Sequence, residues 1–194
     1  MSDVDRWDQS TFAGDGILFM KVGTHANETL DEIVARKQGE IDRAGFALWG
    51  YGGNTCHPTS IVQPFATALS DRGSRLVLAM HPMQSKHFAE PLRAKQYSVD
   101  GKEWDDIPSA VNALGSRYAL WIASLEPVQL ELPLEMTRVA WGPSAGRAGS
   151  RYVSGRVDKA CLELVPDAPI AEAPEMAIGL VARVVEPYAV FLRS

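Results

Sequence analysis

The sequence predicts an α+β protein, and three observations carry that prediction. Two amphipathic helical stretches lie in the first half of the chain. The second half is dominated by short apolar runs and alternating segments. The 194 residues are 46% hydrophobic and 22% charged, the composition of a packed domain rather than a disordered chain. A single domain is expected at this length, built on a mixed or mostly antiparallel sheet or a partly closed barrel. The expected organisation is a polar N-terminal segment over 1–16, an α+β core over 17–165, a linker over 166–176 and C-terminal strands over 177–194 packing on the core.

Taken in order, the apolar run Ile17 to Val22 has the length and residue types of a buried strand. A helix follows. Asn27 is its expected cap, Glu28, Asp31 and Glu32 suit its positive end, and Gly45 stops it. Leu30, Ile33, Val34 and Ile41 form its apolar stripe, with Glu40 and Asp42 on the solvated face. Phe46 to Trp49 reads as a second strand, and Gly50 to Pro58 as a glycine-rich loop. A second helix then carries Ile61, Val62, Phe65, Ala66 and Leu69 to Gly73.

From Leu76 the chain turns to β-structure. Leu76 to Met80 is expected as a strand and Lys86 to Ala94 as a short helix capped by Ser85. Tyr97 to Trp104 is expected as a hairpin around Asp100-Gly101, a pair suited to a tight turn. Tyr118 to Leu125 and Val128 to Leu132 read as two strands separated at Pro127. Arg138 to Trp141 and Val157 to Leu164 read as two more, and Ile178 to Leu192 as one or two final strands.

The N-terminal segment is acidic and lacks a signal peptide's basic start and apolar core. No apolar run approaches the roughly 18 residues of a membrane span. A cytoplasmic, non-membrane protein is the expectation. Cys56 and Cys161 alone make no disulfide framework or metal spacing, so no metal or cofactor is expected. His25, His57 and His81 each follow or approach a strand end, but their spacing matches no helical histidine pair.

The net charge of −5 argues against coating nucleic acid by charge alone. Yet between Arg138 and Lys159 five basic residues face a single acidic one, Asp158. Arg147, Arg151 and Arg156 there sit among glycines and serines, which suits an anion-binding loop because guanidinium groups pair bidentately with phosphate or carboxylate. The spacing matches neither a Walker loop nor a dinucleotide fingerprint. Trp49 and Tyr51, two apart, point to one side of an extended chain and are candidates to stack a flat ring.

The leading expectation is therefore a binding protein for a phosphorylated or nucleic-acid-like ligand, with a nucleotide or nucleic acid as partner. Trp49, Tyr51, Arg147, Arg151 and Arg156 form its candidate site. One alternative is an enzyme on such a ligand, with His57 as acid or base and Cys56 or Ser144 as nucleophile. Adjacent Cys56 and His57 would point to opposite sides of an extended chain, which suits a nucleophile–base pair poorly. Another alternative is a protein-interaction module, inhibitor or accessory subunit, with Ile178 to Leu192 as an exposed edge.

Overall fold

The computed structural model describes residues 12–52, 55–87, 90–153, 157–165 and 175–194. Strand β1 (Gly16–His25) leads to helix α1 (Leu30–Ala44) and strand β2 (Ala47–Gly50). A wide helical turn (Pro58–Val62) feeds α2 (Gln63–Asp71), followed by β3 (Leu76–His87), β4 (Gln96–Ser98) and β5 (Asp105–Asp106). The remaining elements are β6 (Tyr118–Pro133), β7 (Thr137–Val139), α3 (Gly149–Val153), β8 (Lys159–Leu164) and β9 (Glu175–Arg193). The sheet runs in the order β2-β6-β9-β3-β1-β8-β7 and does not close, with β4 and β5 at its side. Only β1 and β3 run parallel among the described pairs; all the others are antiparallel. The α+β class holds.

Burial explains the sheet's composition. Ile17, Leu18 and Phe19 are fully buried because β1 is covered on both faces. Leu18 joins Leu78, Leu120 and Ala182 on one face, under Ile33 and Val34 of α1 and Phe65 and Leu69 of α2. Ile17 and Phe19 face the other way, among Val77, Val181, Leu132, Val139 and Leu162. A third cluster, with Leu48, Val111, Ala113, Val190 and Leu192, lies beneath the segment that precedes β6.

The local signals were read with mixed success. Helix α1 begins two residues later than Asn27 suggests. Thr29 is the cap, its hydroxyl accepting from the Glu32 N–H while the Glu32 carboxylate accepts from the Thr29 N–H. Asn27 instead takes a left-handed turn conformation, φ 67°. A hairpin forms, but around a wider loop than the expected tight turn: Gln96 pairs with Asp106 and Tyr97 with Asp105, and Gly101 lies between them at φ 78°. The Asp100 carboxylate accepts from the N–H groups of Lys102 and Glu103, which holds its carboxyl below the usual range.

The expected helix from Lys86 to Ala94 is corrected: β3 continues to His87, and residues 90–94 are irregular. The break at Pro127 is corrected too. β6 runs through it, with the pairing to β9 shifting register between Pro127 and Leu130. Irregular pairing lets one strand absorb a residue without an N–H. The segment from Ile178 to Leu192 lies within β9, between β6 and β3, so it offers no open edge along its paired length.

Helix α3 packs so closely that a side chain at Gly149 has no room. A Cβ there would lie 1.8 Å from Thr137 Oγ1 and 3.2 Å from the Leu134 carbonyl oxygen. That hydroxyl is held by its own bond to Leu134 O, 2.7 Å away. Gly149→Ala is therefore expected to lower stability by about 1–3 kcal/mol, read as a lower urea midpoint with an unchanged slope. An unchanged midpoint would contradict this packing.

Candidate functional site

The structure brings the two segments singled out from sequence together through buried groups and places a different feature beside one of them. Trp49 and Tyr51 do point to one side, but that side is the core: they are 5% and 1% exposed. The Tyr51 hydroxyl donates to the Phe19 carbonyl oxygen, and burial pushes its titration well up. Tyr51 is thus corrected from a stacking platform to a core residue, because an enclosed ring presents no face to a ligand.

The loop after β7 is a closed turn. The Gly146 N–H donates to Val139 O, and the Val139 N–H donates back to Arg147 O, each at 2.8 Å. Arg147 lies exposed, with its guanidinium 5.9 Å from the Tyr152 ring centre, and Arg151 is exposed on α3. Arg156 lies outside the described residues. The Tyr152 hydroxyl titrates above its ordinary value, chiefly through burial, while Ser144, hydrogen-bonded to it, pulls the other way. The described residues of the two segments meet through buried groups around Cys56, Cys161, Tyr51 and Tyr152.

Cys56 is 1% exposed, and burial raises its thiol. A buried, protonated thiol is a poor nucleophile, so the catalytic reading of Cys56 is corrected. His57 leads into the turn before α2, with Nδ1 3.2 Å from Thr59 Oγ1 and its ring edge-on to Tyr118 at 5.3 Å. His25 Nε2 lies 3.2 Å from Leu114 O, and His81 Nδ1 lies 2.7 Å from Ala177 O. Each of these histidines therefore has a separate partner. Among the described residues no three His, Cys, Asp or Glu side chains converge as a metal site.

A cavity of about 600 Å³ opens where the ends of β1 and β2 meet α1 and the segment 113–117. Its apolar wall includes Met20, Val22, Leu30, Ile33, Leu48 and Trp49. Helix α1 contributes two basic residues, and both are already matched. Arg36 donates to Glu28 through Nε at 2.8 Å and to Glu40 through Nη1 at 2.9 Å; Lys37 donates to Glu40 at 3.0 Å. Arg36 and Lys37 also donate to the Asn112 carbonyl, while the Asn112 N–H donates to Glu40. Glu40 is fully buried, not on the solvated face as its place in the helix suggests.

Further charges come from elsewhere. Lys21, Arg117 and Lys159 line the cavity with Asp158, three cations against one carboxylate. The Lys21 N–H donates to Asp158 O, which brings the β8 end to β1, and the Leu192 N–H fixes the Arg117 backbone. Burial lowers the Lys159 ammonium, with Asp158 opposing it. Such an arrangement can hold an anionic group beside an apolar one.

Searched against family models, curated proteins and solved structures, the chain finds no match. The functional reading therefore rests on this geometry.

Of these lining residues sequence reasoning placed Trp49 in its candidate site, counted Lys159 in the basic island and weighed His25 among the strand-end histidines. Lys21, Arg117 and Lys159 are far apart in the chain, and no spacing rule joins them. One local signal was available: Arg36, Lys37 and Glu40 stand at the i,i+4 and i,i+3 separations of helical ion pairs.

Burial lowers Lys37 from its ordinary 10.5 to about 8, against the pull of Glu40. Between those values the unfolded chain holds more protons than the folded one, so stability rises with pH across that window. The cost of burying the ammonium is fully present below pH 8. Urea unfolding of the protein and of Lys37→Met should therefore diverge: the native protein gains up to about 3 kcal/mol relative to the variant between pH 8 and 10.5. A constant difference would contradict the assignment.

Proposed function

We propose that this chain binds a small phosphorylated or nucleotide-like ligand in the cavity between β1, β2, α1 and segment 113–117. One observation carries the reading: an apolar wall adjoins Arg117 and Lys159, with Asp158 as the carboxylate on the same lining. In the bound state Arg117 and Lys159 contact the anion, and the flat apolar part lies along Trp49 and Leu30. A volume of about 600 Å³ is in the usual range for small-molecule sites. A polymeric nucleic acid needs an open groove that follows its backbone, so a mononucleotide-sized ligand fits better. The exposed Arg147 and Arg151 are not required, in contrast to the site expected from sequence.

Binding of nucleoside monophosphates and sugar phosphates, followed by calorimetry at two salt concentrations, tests this. Arg117→Ala is expected to weaken binding about 10- to 100-fold, as for a lost hydrogen bond to a charged group. Gly52 lines the cavity, and a Cβ there meets nothing within 4 Å. Gly52→Trp is thus expected to fill the space and abolish binding while leaving the melting temperature near that of the native protein. Arg151→Ala should bind as the native protein does. Binding lost in Arg151→Ala but kept in Gly52→Trp would move the site to the loop after β7, and no binding across the panel would end the proposal.

A further inference from the structure

We infer that the flat group of the ligand is a nucleobase read by the open backbone edge of β2. The Leu48 C=O accepts from a donor on the ring, and the Gly50 N–H donates to the acceptor beside it. This rests on the cavity being the ligand site proposed above, and it narrows the occupant from phosphorylated compounds in general to nucleoside phosphates.

Strand β2 ends the sheet and pairs with β6 alone. Across that pair the Tyr51 N–H donates to Tyr118 O. In an antiparallel ladder the residues that bond to one neighbour alternate. Trp49 and Ala47 therefore share the phase of Tyr51 and turn their N–H and C=O groups to β6, while Leu48 and Gly50 turn theirs outward. Among the described residues no group donates to or accepts from these outward N–H and C=O groups.

The cavity lies on that outward side. The side chains of Leu48 and Trp49 pack on opposite faces of the sheet, in different clusters. Yet Leu48, Trp49, Gly50 and Gly52 all line one cavity. With β6 along the inner edge, only a space that runs along the outer edge touches residues of both faces. Leu30 and Ile33 stand on the Trp49 side of that space and Ala113 on the Leu48 side. A planar ring that continues the sheet from β2 thus lies between two apolar layers, its edge towards the strand.

Buried backbone N–H and C=O groups need partners, and Leu48 is 1% exposed. A nucleobase meets both demands. It carries a donor and an acceptor side by side, as in the amino group and adjoining ring nitrogen of adenine, on a ring that packs between apolar side chains. A sugar has no such flat edge. A Cβ at Gly50 would lie 2.3 Å from Ser116 Oγ, so the glycine lets Ser116 lie against the strand. Arg117, the next residue, is then close at hand for the phosphate.

Calorimetry on the full native chain tests the inference without any substitution. The compounds are the common nucleoside 5′-monophosphates, ribose 5-phosphate, and a counterpart of each nucleotide methylated on its donor–acceptor edge. At least one nucleotide is expected to bind. Ribose 5-phosphate and the methylated counterpart of that nucleotide should bind about 10-fold more weakly or worse, as for two lost hydrogen bonds. The Gly50 amide proton should move downfield with the nucleotide and not with ribose 5-phosphate. Ribose 5-phosphate or the methylated counterpart binding as tightly as the nucleotide, or a Gly50 amide unmoved at saturation, overturns the edge recognition and leaves the cavity standing as a phosphate site. Failure of every compound to bind overturns both.

Discussion

A buried carboxylate holds the cavity together. Glu40 accepts from Arg36, from Lys37 and from the Asn112 N–H, and so ties α1 to the segment that precedes β6. Burying three charges is costly, and such networks are weak evidence for stability. Their value is geometric: removing one partner leaves the others buried and unmatched, at about 3–5 kcal/mol. The network fixes where Ala113 to Arg117 lie, and those residues close one side of the cavity. His25, bonded to Leu114 O, fastens the same segment to β1.

The sheet supplies the rest of the frame. β1 and β3 are parallel, and the first crossover places α1 and α2 on one face. β1 then runs beyond the packed core, and its last residues, Lys21 to His25, become cavity wall. Antiparallel pairing with β8 sets Met20 opposite Lys159, which brings a lysine from the far end of the sequence to the same rim. Paired cations on α1 and the cations on β1, β8 and the 113–117 segment thus share one space, and the first set orders the walls.

What was legible in the sequence was local. Helix α1 announced itself by its apolar stripe and by Gly45, and the Asp100-Gly101 turn by its chemistry. The short helix near Lys86 was misread because Ser85 and the residues after it satisfy a local pattern, whereas pairing extends β3 across them. Pro127 was read as a strand end because a proline cannot donate to a ladder; the register shift beside it supplies the tolerance, and pairing partners cannot be read from one strand. The burial of the two candidate aromatics escaped the sequence reading for a related reason. Trp49 and Tyr51 share a face, as alternation requires, but alternation does not say whether that face meets ligand or core. Arg147 and Arg151 drew attention because they cluster in the chain, while Lys21, Arg117 and Lys159 cluster only in space.

The central claim is that the ligand enters the cavity and not the arginine-rich loop. Backbone amide shift mapping during titration with a nucleoside monophosphate tests it most directly. The account predicts shifts concentrated at Gly23 to His25, Gly50 and Gly115 to Tyr118, with little change from Gly142 to Tyr152. Shifts confined to Gly142 to Tyr152, with the β1 end and segment 113–117 unmoved, would contradict it.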